Sequence, residues 1–209
     1  MRLIVGLLAG YALGAVPVGF LIGRAFGVGD LRRHGSGNIG ATNVLRTAGR
    51  FAALLTLAGD VTKGYLAARL GAWLGGDGTT AVAACAVAAV VGNCWSMFLR
   101  FRGGKGVATG LGASLWLVPW ATAPAALVWL VVTATFRYVS LGSLTAALCV
   151  PLGALLLGAP GASVVASLVI AGIIVARHGE NIARLLAGTE RRLGERQCEP
   201  RRFDRRGER

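Results

Sequence analysis

The chain has 209 residues, of which 55% are hydrophobic, with a mean hydropathy of +0.63 and a formal net charge of +13. So apolar a composition excludes an ordinary soluble domain, which builds its core from much less. The charge lies between and after the apolar runs, as membrane proteins mark their cytoplasmic side, and this distribution excludes nucleic acid as the partner.

A helix needs about 20 apolar residues to cross a bilayer. Residues 3–22 supply the first; they are too long for a signal-peptide core, contain Pro17, and run directly into a polar loop. That loop, 30–50, reads DLRRHGSGNIGATNVLRTAGR. It contains a literal GxGxxG, but no strand precedes it and no βαβ unit surrounds it, so a dinucleotide site is excluded. Gly35, Gly37 and Gly40 can instead turn several N–H groups toward one point, a nest for phosphate oxygens. Ser36, Asn38, Thr42 and Asn43 add neutral donors and Arg46 adds charge; His34, beside two arginines, reads as solvated.

Residues 51–74 form the second span and carry Asp60, Lys63 and Arg69. Ionisable groups at that depth are costly and are functional or paired; Arg69, near the end, snorkels. Residues 79–99 form an uncharged third span. The next loop, RFRGGKGVATG, only superficially resembles a P-loop, because no Ser or Thr follows its lysine. Gly103, Gly104 and Gly106 let the chain pass tightly around Lys105, a point charge suited to phosphate.

Residues 107–136 are uncharged and too long for one span, so they are expected to cross twice, as two short helices meeting at Pro119-Trp120-Ala121-Thr122-Ala123-Pro124. Arg137 to Ser143 then place one cation and two hydroxyls at a turn, and 138–176 read as two spans hinged at Gly158-Ala159-Pro160-Gly161. The segment RHGENIARLLAGTE follows. Its spacing puts His178 and Asn181 on one helical face, and Arg177 in line with Arg184. From Arg191 to Arg209 the chain has eight arginines, four acids and almost nothing apolar, the composition of a disordered cytoplasmic tail. The cysteines Cys85, Cys94, Cys149 and Cys198 form no CxxC pair and read as small packing residues, so no metal is expected.

Arginines and lysines fill the loops around 24–50, 100–105, 137 and 177 onward, while the turns at Gly75-Gly76-Asp77-Gly78, 119–124 and 158–161 carry none. Placing the basic set inside predicts an all-α integral membrane protein. It is a bundle of seven transmembrane helices with its N-terminus outside and its C-terminus cytoplasmic, five spans with a re-entrant stretch being the alternative. All four basic turns then meet at one membrane face, a site for small polyanions beside an apolar wall.

These motifs resemble the PlsY family, in order and over nearly the whole chain: LGAVPVGFLIGR, GSGNIGATNVLR, DVTKG, FRGGKGVATG, RYVSLGS and RHGENIARLLAGTE. The resemblance implies a seven-helix enzyme of the bacterial inner membrane with its active site toward the cytoplasm. It would transfer an acyl group from acyl phosphate to the sn-1 hydroxyl of glycerol 3-phosphate, giving lysophosphatidic acid and phosphate without a cofactor. Residues 1–190 would form the membrane-embedded acyltransferase domain, acting as a monomer among membrane lipids. His178, Asn181 and Ser36 would be catalytic. Gly37, Asn38, Gly40, Thr42, Asn43, Arg46, Gly103, Gly104, Lys105, Gly106 and Ser143 would bind substrate. Two departures stand out: the family's GHxxPxF is Gly92-Asn93-Cys94-Trp95-Ser96-Met97-Phe98 here, and its RHRENI has Gly179 in place of the second arginine. The other readings of such a chain are a transporter or channel for phosphorylated metabolites, a divergent paralogue of weak activity, and a membrane scaffold working through its tail.

Overall fold

The computed structural model describes residues 2–75 and 78–194. The described chain is helical: α1 (Arg2–Ala15), α2 (Val18–Ala25), α3 (Ala41–Thr47), α4 (Arg50–Gly75), α5 (Thr79–Cys94), α6 (Val107–Leu117), α7 (Pro119–Phe136), α8 (Val139–Leu156), α9 (Gly161–Arg177) and α10 (Gly179–Leu186). Two 3₁₀ turns, Leu31–Arg33 and Met97–Leu99, sit in the loops after α2 and α5. Helix α4 packs on α1, α5 and α6, α5 reaches α9, and α8 lies between α7 and α9.

Size is sorted the reverse of the way a soluble core would sort it. Alanine and glycine fill the inside, as at Ala68, Ala86, Ala113 and Ala171, while leucines, tryptophans and phenylalanines point out; Trp73 and Trp120 are 80% and 82% exposed. Hydrocarbon around the bundle removes the penalty on those side chains, and small residues inside let helices approach until their backbones touch. The α4–α6 contact is the clearest case. A Cβ on Gly64 would lie 2.0 Å from the Thr109 carbonyl oxygen, and one on Gly112 would lie 1.9 Å from that of Val61.

Four helical segments are long and apolar enough to cross a membrane: Leu3–Ala25, Thr79–Leu99, Pro119–Phe136 and Val139–Leu156. Helices α9 and α10, bent by 61° at His178, give a fifth if they are taken together. The two other expected spans differ in kind. Helix α4 has 26 residues but carries Arg50, Asp60, Lys63 and Arg69, and α6 has 11. At 1.5 Å per residue α6 rises about 16 Å, roughly half the hydrocarbon thickness. The break before α7 falls at Val118 rather than across 119–124. Pro119 starts α7, where no N–H is needed, and Pro124 sits inside the helix. The hinge between α8 and α9 falls where expected, at Gly158 with φ +64°.

Pro17 divides α1 from α2, and the carbonyls exposed at that break find partners deep in the bundle. The Ser96 hydroxyl donates to the Ala15 oxygen at 2.6 Å, and Lys63 Nζ donates to the Val16 oxygen at 2.8 Å. The chain beyond α10 is also held as far as it is described. Leu193 N–H donates to the Arg137 oxygen at 2.6 Å, and Arg137 Nη2 to the Leu193 oxygen at 2.7 Å. Residues 195–209 of the expected tail, Cys198 among them, lie outside the described residues.

Replacing Gly64 with alanine should force α4 from α6 and lower stability by about 2 kcal/mol. Gly172→Ala, whose Cβ would meet nothing within 4 Å, should leave the detergent-solubilised protein's melting temperature unchanged.

Candidate active site

The four basic turns meet at one end of the bundle around a cavity of about 290 Å³. Its mouth is lined by Ser36, Asn38, Gly40, Thr42, Asn43, Arg46, Gly104, Lys105, Gly106, Ser143, His178 and Asn181. Gly37 and Gly103 instead line an adjoining polar recess that shares Ser36, Asn38 and Lys105. Behind the mouth the cavity becomes apolar and runs between α6, α7, α8 and α9, past Leu111, Ala125, Trp129, Val150 and Ile170.

The loop before α3 is built on Asn43. Its buried Nδ2 donates to the oxygens of Leu31 (3.3 Å), His34 (3.1 Å) and Asn38 (2.7 Å), and its Oδ1 accepts the Ser36 N–H at 2.8 Å. Gly37 N–H goes to the His34 oxygen and Gly40 N–H to Asn38 Oδ1. Those three N–H groups, part of the nest expected from the glycines, are therefore used within the loop. Gly35 and Gly37, at φ +61° and +71°, serve the turn itself. What the loop offers the cavity is chiefly side chains: Ser36, Asn38, Thr42 and Arg46.

Lys105 is held by a loop pinned from two sides. Gly103 and Gly104 donate their N–H groups to the Cys94 and Asn93 oxygens at the end of α5, at 3.1 and 2.9 Å. Their own carbonyls accept from Arg177, at 3.4 and 3.3 Å, and that guanidinium lies 5.5 Å from the centre of the Trp95 ring. A Cβ on Gly103 would come within 2.1 Å of the Asn93 oxygen, so the close approach requires glycine. Lys105 Nζ donates to Asn181 Oδ1. Burial, and then the like charge of Arg184, pull its pKa below the usual lysine value, against the opposing pull of Glu190 and Glu180.

His178 sits at the bend between α9 and α10 and is buried. Its Nδ1 lies 2.7 Å from the Ile174 oxygen; a carbonyl can only accept, so Nδ1 carries the hydrogen and Nε2 is the basic nitrogen. Because of the bend, Arg177 and Arg184 do not line up as helical spacing suggested. Arg177 serves the Lys105 loop, and Arg184 pairs with Glu190 at 2.8 Å. Ser143 Oγ donates to the Val139 oxygen at 2.8 Å and accepts from Trp129 Nε1 at 3.2 Å.

Sequence reasoning missed Glu190 as a site residue. Gly188, with φ +69°, reverses the chain after α10, and Gly188 and Thr189 return their N–H groups to the Leu185 and Arg184 oxygens, a Schellman ending. The reversal brings the Glu190 carboxylate back over the site. Oε1 accepts from Asn181 Nδ2 at 2.6 Å and from Ser140 Oγ at 2.7 Å, and Oε2 accepts from Arg184 Nε. Burial raises its pKa, but the three hydrogen bonds and the Arg184 charge outweigh that and hold it below the usual carboxylate value. The signal in the sequence was an acid just after the glycine that ends α10, closing a segment that also carries Arg177, Glu180 and Arg184. The arrangement is a cationic mouth, with the Glu190 carboxylate among its cations, above an apolar shaft, and it suits amphiphiles with a phosphate head.

A protein-family model described as glycerol-3-phosphate acyltransferase matches residues 4–188. The chain is 49% identical to a glycerol-3-phosphate acyltransferase of Rubrobacter xylanophilus over 187 residues, 90% of this chain and 93% of the relative. It is also 49% identical to one of Aromatoleum aromaticum over 195 residues, 93% of this chain and 98% of the relative. The crystal structure of PlsY (YgiH), an integral membrane glycerol 3-phosphate acyltransferase, is similar in its glycerol 3-phosphate form, with a TM-score of 0.88 and 37% identity over 93% of this chain and 96% of that one. The lysophosphatidic acid form gives 0.87 and 36% over the same shares.

Glu190→Ala leaves Arg184 and the Asn181 amide without their acceptor and should cost about 3 kcal/mol, read by thermal unfolding; Glu190→Gln, which keeps an acceptor, should cost less. A carboxyl whose folded pKa is lowered contributes fully above its unfolded value of about 4.3 and loses that contribution as pH falls through the folded pKa, so wild type should lose more stability than Glu190→Gln over that window.

Proposed function

This chain belongs to the glycerol-3-phosphate acyltransferase family, and from that we infer that it transfers an acyl group to glycerol 3-phosphate, giving lysophosphatidic acid. The observation that carries the reading to this chain's own residues is the cavity itself, cationic at its mouth and apolar behind. The donor is acyl phosphate, already an activated mixed anhydride, so the protein has mainly to position two phosphorylated reactants and compensate their charge.

Arg46, Lys105 and Ser143 hold the phosphate of glycerol 3-phosphate. The side chains of the 36–43 loop receive the acyl phosphate head, and the acyl chain lies in the shaft between α6, α7, α8 and α9. His178 and Asn181 orient the glycerol hydroxyl. Its oxygen attacks the acyl carbonyl carbon, the bond from that carbon to the phosphate oxygen breaks, and the hydroxyl proton finishes on the departing phosphate. It travels there directly, or through His178 Nε2. Asn43 acts by holding the loop, because its amide is engaged there at both ends.

The protein lies in the bacterial cytoplasmic membrane with this mouth toward the cytoplasm and works as a monomer. Helices α1 and α2 together, then α4, α5, α6, α7, α8 and α9, make seven crossings, with the N-terminus outside. The meeting of all four basic turns at one end supports that parity.

Purified protein given acyl phosphate and glycerol 3-phosphate should release lysophosphatidic acid and inorganic phosphate; a chain that makes neither overturns the reading, and one that works only with an acyl thioester overturns the donor. Lys105→Ala should raise the glycerol 3-phosphate KM by about tenfold or more with a smaller change in kcat, and an unchanged KM removes Lys105 from that role. His178→Ala distinguishes the two proton routes: a loss of about tenfold in kcat assigns the proton directly to the phosphate, and a loss of about 10²–10⁴-fold assigns it to the histidine.

A further inference from the structure

Lys63 is a buried ammonium inside the bundle, well away from any loop in sequence, and three oxygens lie against it, one as an ion-pair partner and two as hydrogen-bond acceptors. These are Asp60 Oδ1 at 2.7 Å, Asn93 Oδ1 at 2.8 Å and the Val16 oxygen at 2.8 Å. Two of those contacts have plain structural explanations. Asp60 neutralises the charge, and the Val16 carbonyl, at the Pro17 break, otherwise accepts, among the described residues, only from the nearby Val18 N–H.

The third contact leads elsewhere. Asn93 is buried at the last turn of α5, and its backbone oxygen is the acceptor for the Gly104 N–H at 2.9 Å. Its side-chain amide also lies directly beneath that glycine, since a Cβ on Gly104 would come within 3.0 Å of Asn93 Nδ2. Gly104 immediately precedes Lys105. Asn93 therefore joins the buried ion pair to the phosphate loop, with one end of its side chain on Lys63 and the other against the backbone that carries Lys105.

We propose that Asp60, Lys63 and Asn93 form a positioning device for the anion-binding loop, setting the place of Lys105 at the cavity mouth from inside the bundle. Asn93 and Asp60 also line the inner wall of the cavity, but Asn93 touches no reacting atom in this proposal; it acts through Gly104. The ammonium fixes the orientation of the Asn93 amide, the amide supports Gly104, and the Gly104 N–H bond fixes where the loop leaves α5. The proposal rests on the reading of Lys105 as a phosphate ligand given above.

Three variants of one residue separate this role from packing. Asn93→Ala keeps the Lys63 contacts to Asp60 and Val16 but removes the support beneath Gly104. It should weaken glycerol 3-phosphate about tenfold, both as KM and as the Kd measured directly by calorimetry, with kcat within about threefold of wild type. Asn93→Leu fills the space but cannot accept from Lys63, and should stay impaired. Asn93→His supplies a ring nitrogen as acceptor and should return binding to within about threefold of wild type.

A merely structural Asn93 would lower melting temperature and the yield of active protein while leaving KM and Kd unmoved; that result, or rescue by leucine as good as by histidine, overturns the proposal. If wild type binds glycerol 3-phosphate more tightly than Asn93→Ala yet forms no lysophosphatidic acid, the positioning role stands and the reaction is wrong. If wild type does not bind glycerol 3-phosphate at all, both fall.

Discussion

A bilayer interior offers no hydrogen bonds, so nearly all buried polar side chains among the described residues are met within the protein, the Thr109 and Thr133 hydroxyls being exceptions. The consequence is visible at Pro17. A proline that splits the first helix leaves carbonyls at Ala15 and Val16, and these are met by Ser96 from the end of α5 and Lys63 from α4. The ammonium brought in to meet one of them needs a counter-charge, which Asp60 supplies from the same helix. Three elements are thereby fixed to one another at the point where the Lys105 loop leaves α5.

The same constraint shapes the site. Phosphate recognition needs cations, but unbalanced cations at a bilayer edge repel one another and pay heavily for lost water. Lys105, Arg177 and Arg184 are each given an acceptor: an asparagine oxygen, two glycine carbonyls and a glutamate. Glu190 is the pivot, since its two oxygens hold Ser140, Asn181 and Arg184 and so join α8, α10 and the chain that follows α10. A site held this way keeps its geometry before a ligand arrives, which is what acyl transfer to a positioned hydroxyl requires.

Helix packing by small residues adds the remaining component. Because α4 and α6 meet backbone to backbone at Gly64 and Gly112, the large side chains are freed to face lipid, and the apolar shaft opens among α6, α7, α8 and α9. An acyl chain seated there, as proposed, would leave one hydrocarbon medium for another, so the shaft would supply shape and access rather than a hydrophobic driving force.

Much of this was legible from the sequence. Apolar runs broken by basic turns gave the helices and their common polar face, because bilayer thickness and charge placement act on local stretches of chain. The basic turns also put Lys105, His178 and Asn181 at one polar face, and all three line the cavity there. The tertiary structure decided what depends on partners distant in the chain. It closed the 35–40 loop on Asn43, with the Ser36, Gly37 and Gly40 N–H groups engaged inside the turn, placed the helix break at Val118, and sent Arg177 and Arg184 to different partners through the bend at His178. It also brought Glu190 back over the site and set Asn93 between Lys63 and Gly104. Spacing along a chain records which residues share a helix face, but a hydrogen bond across 30 or 76 residues exists only once the helices have packed.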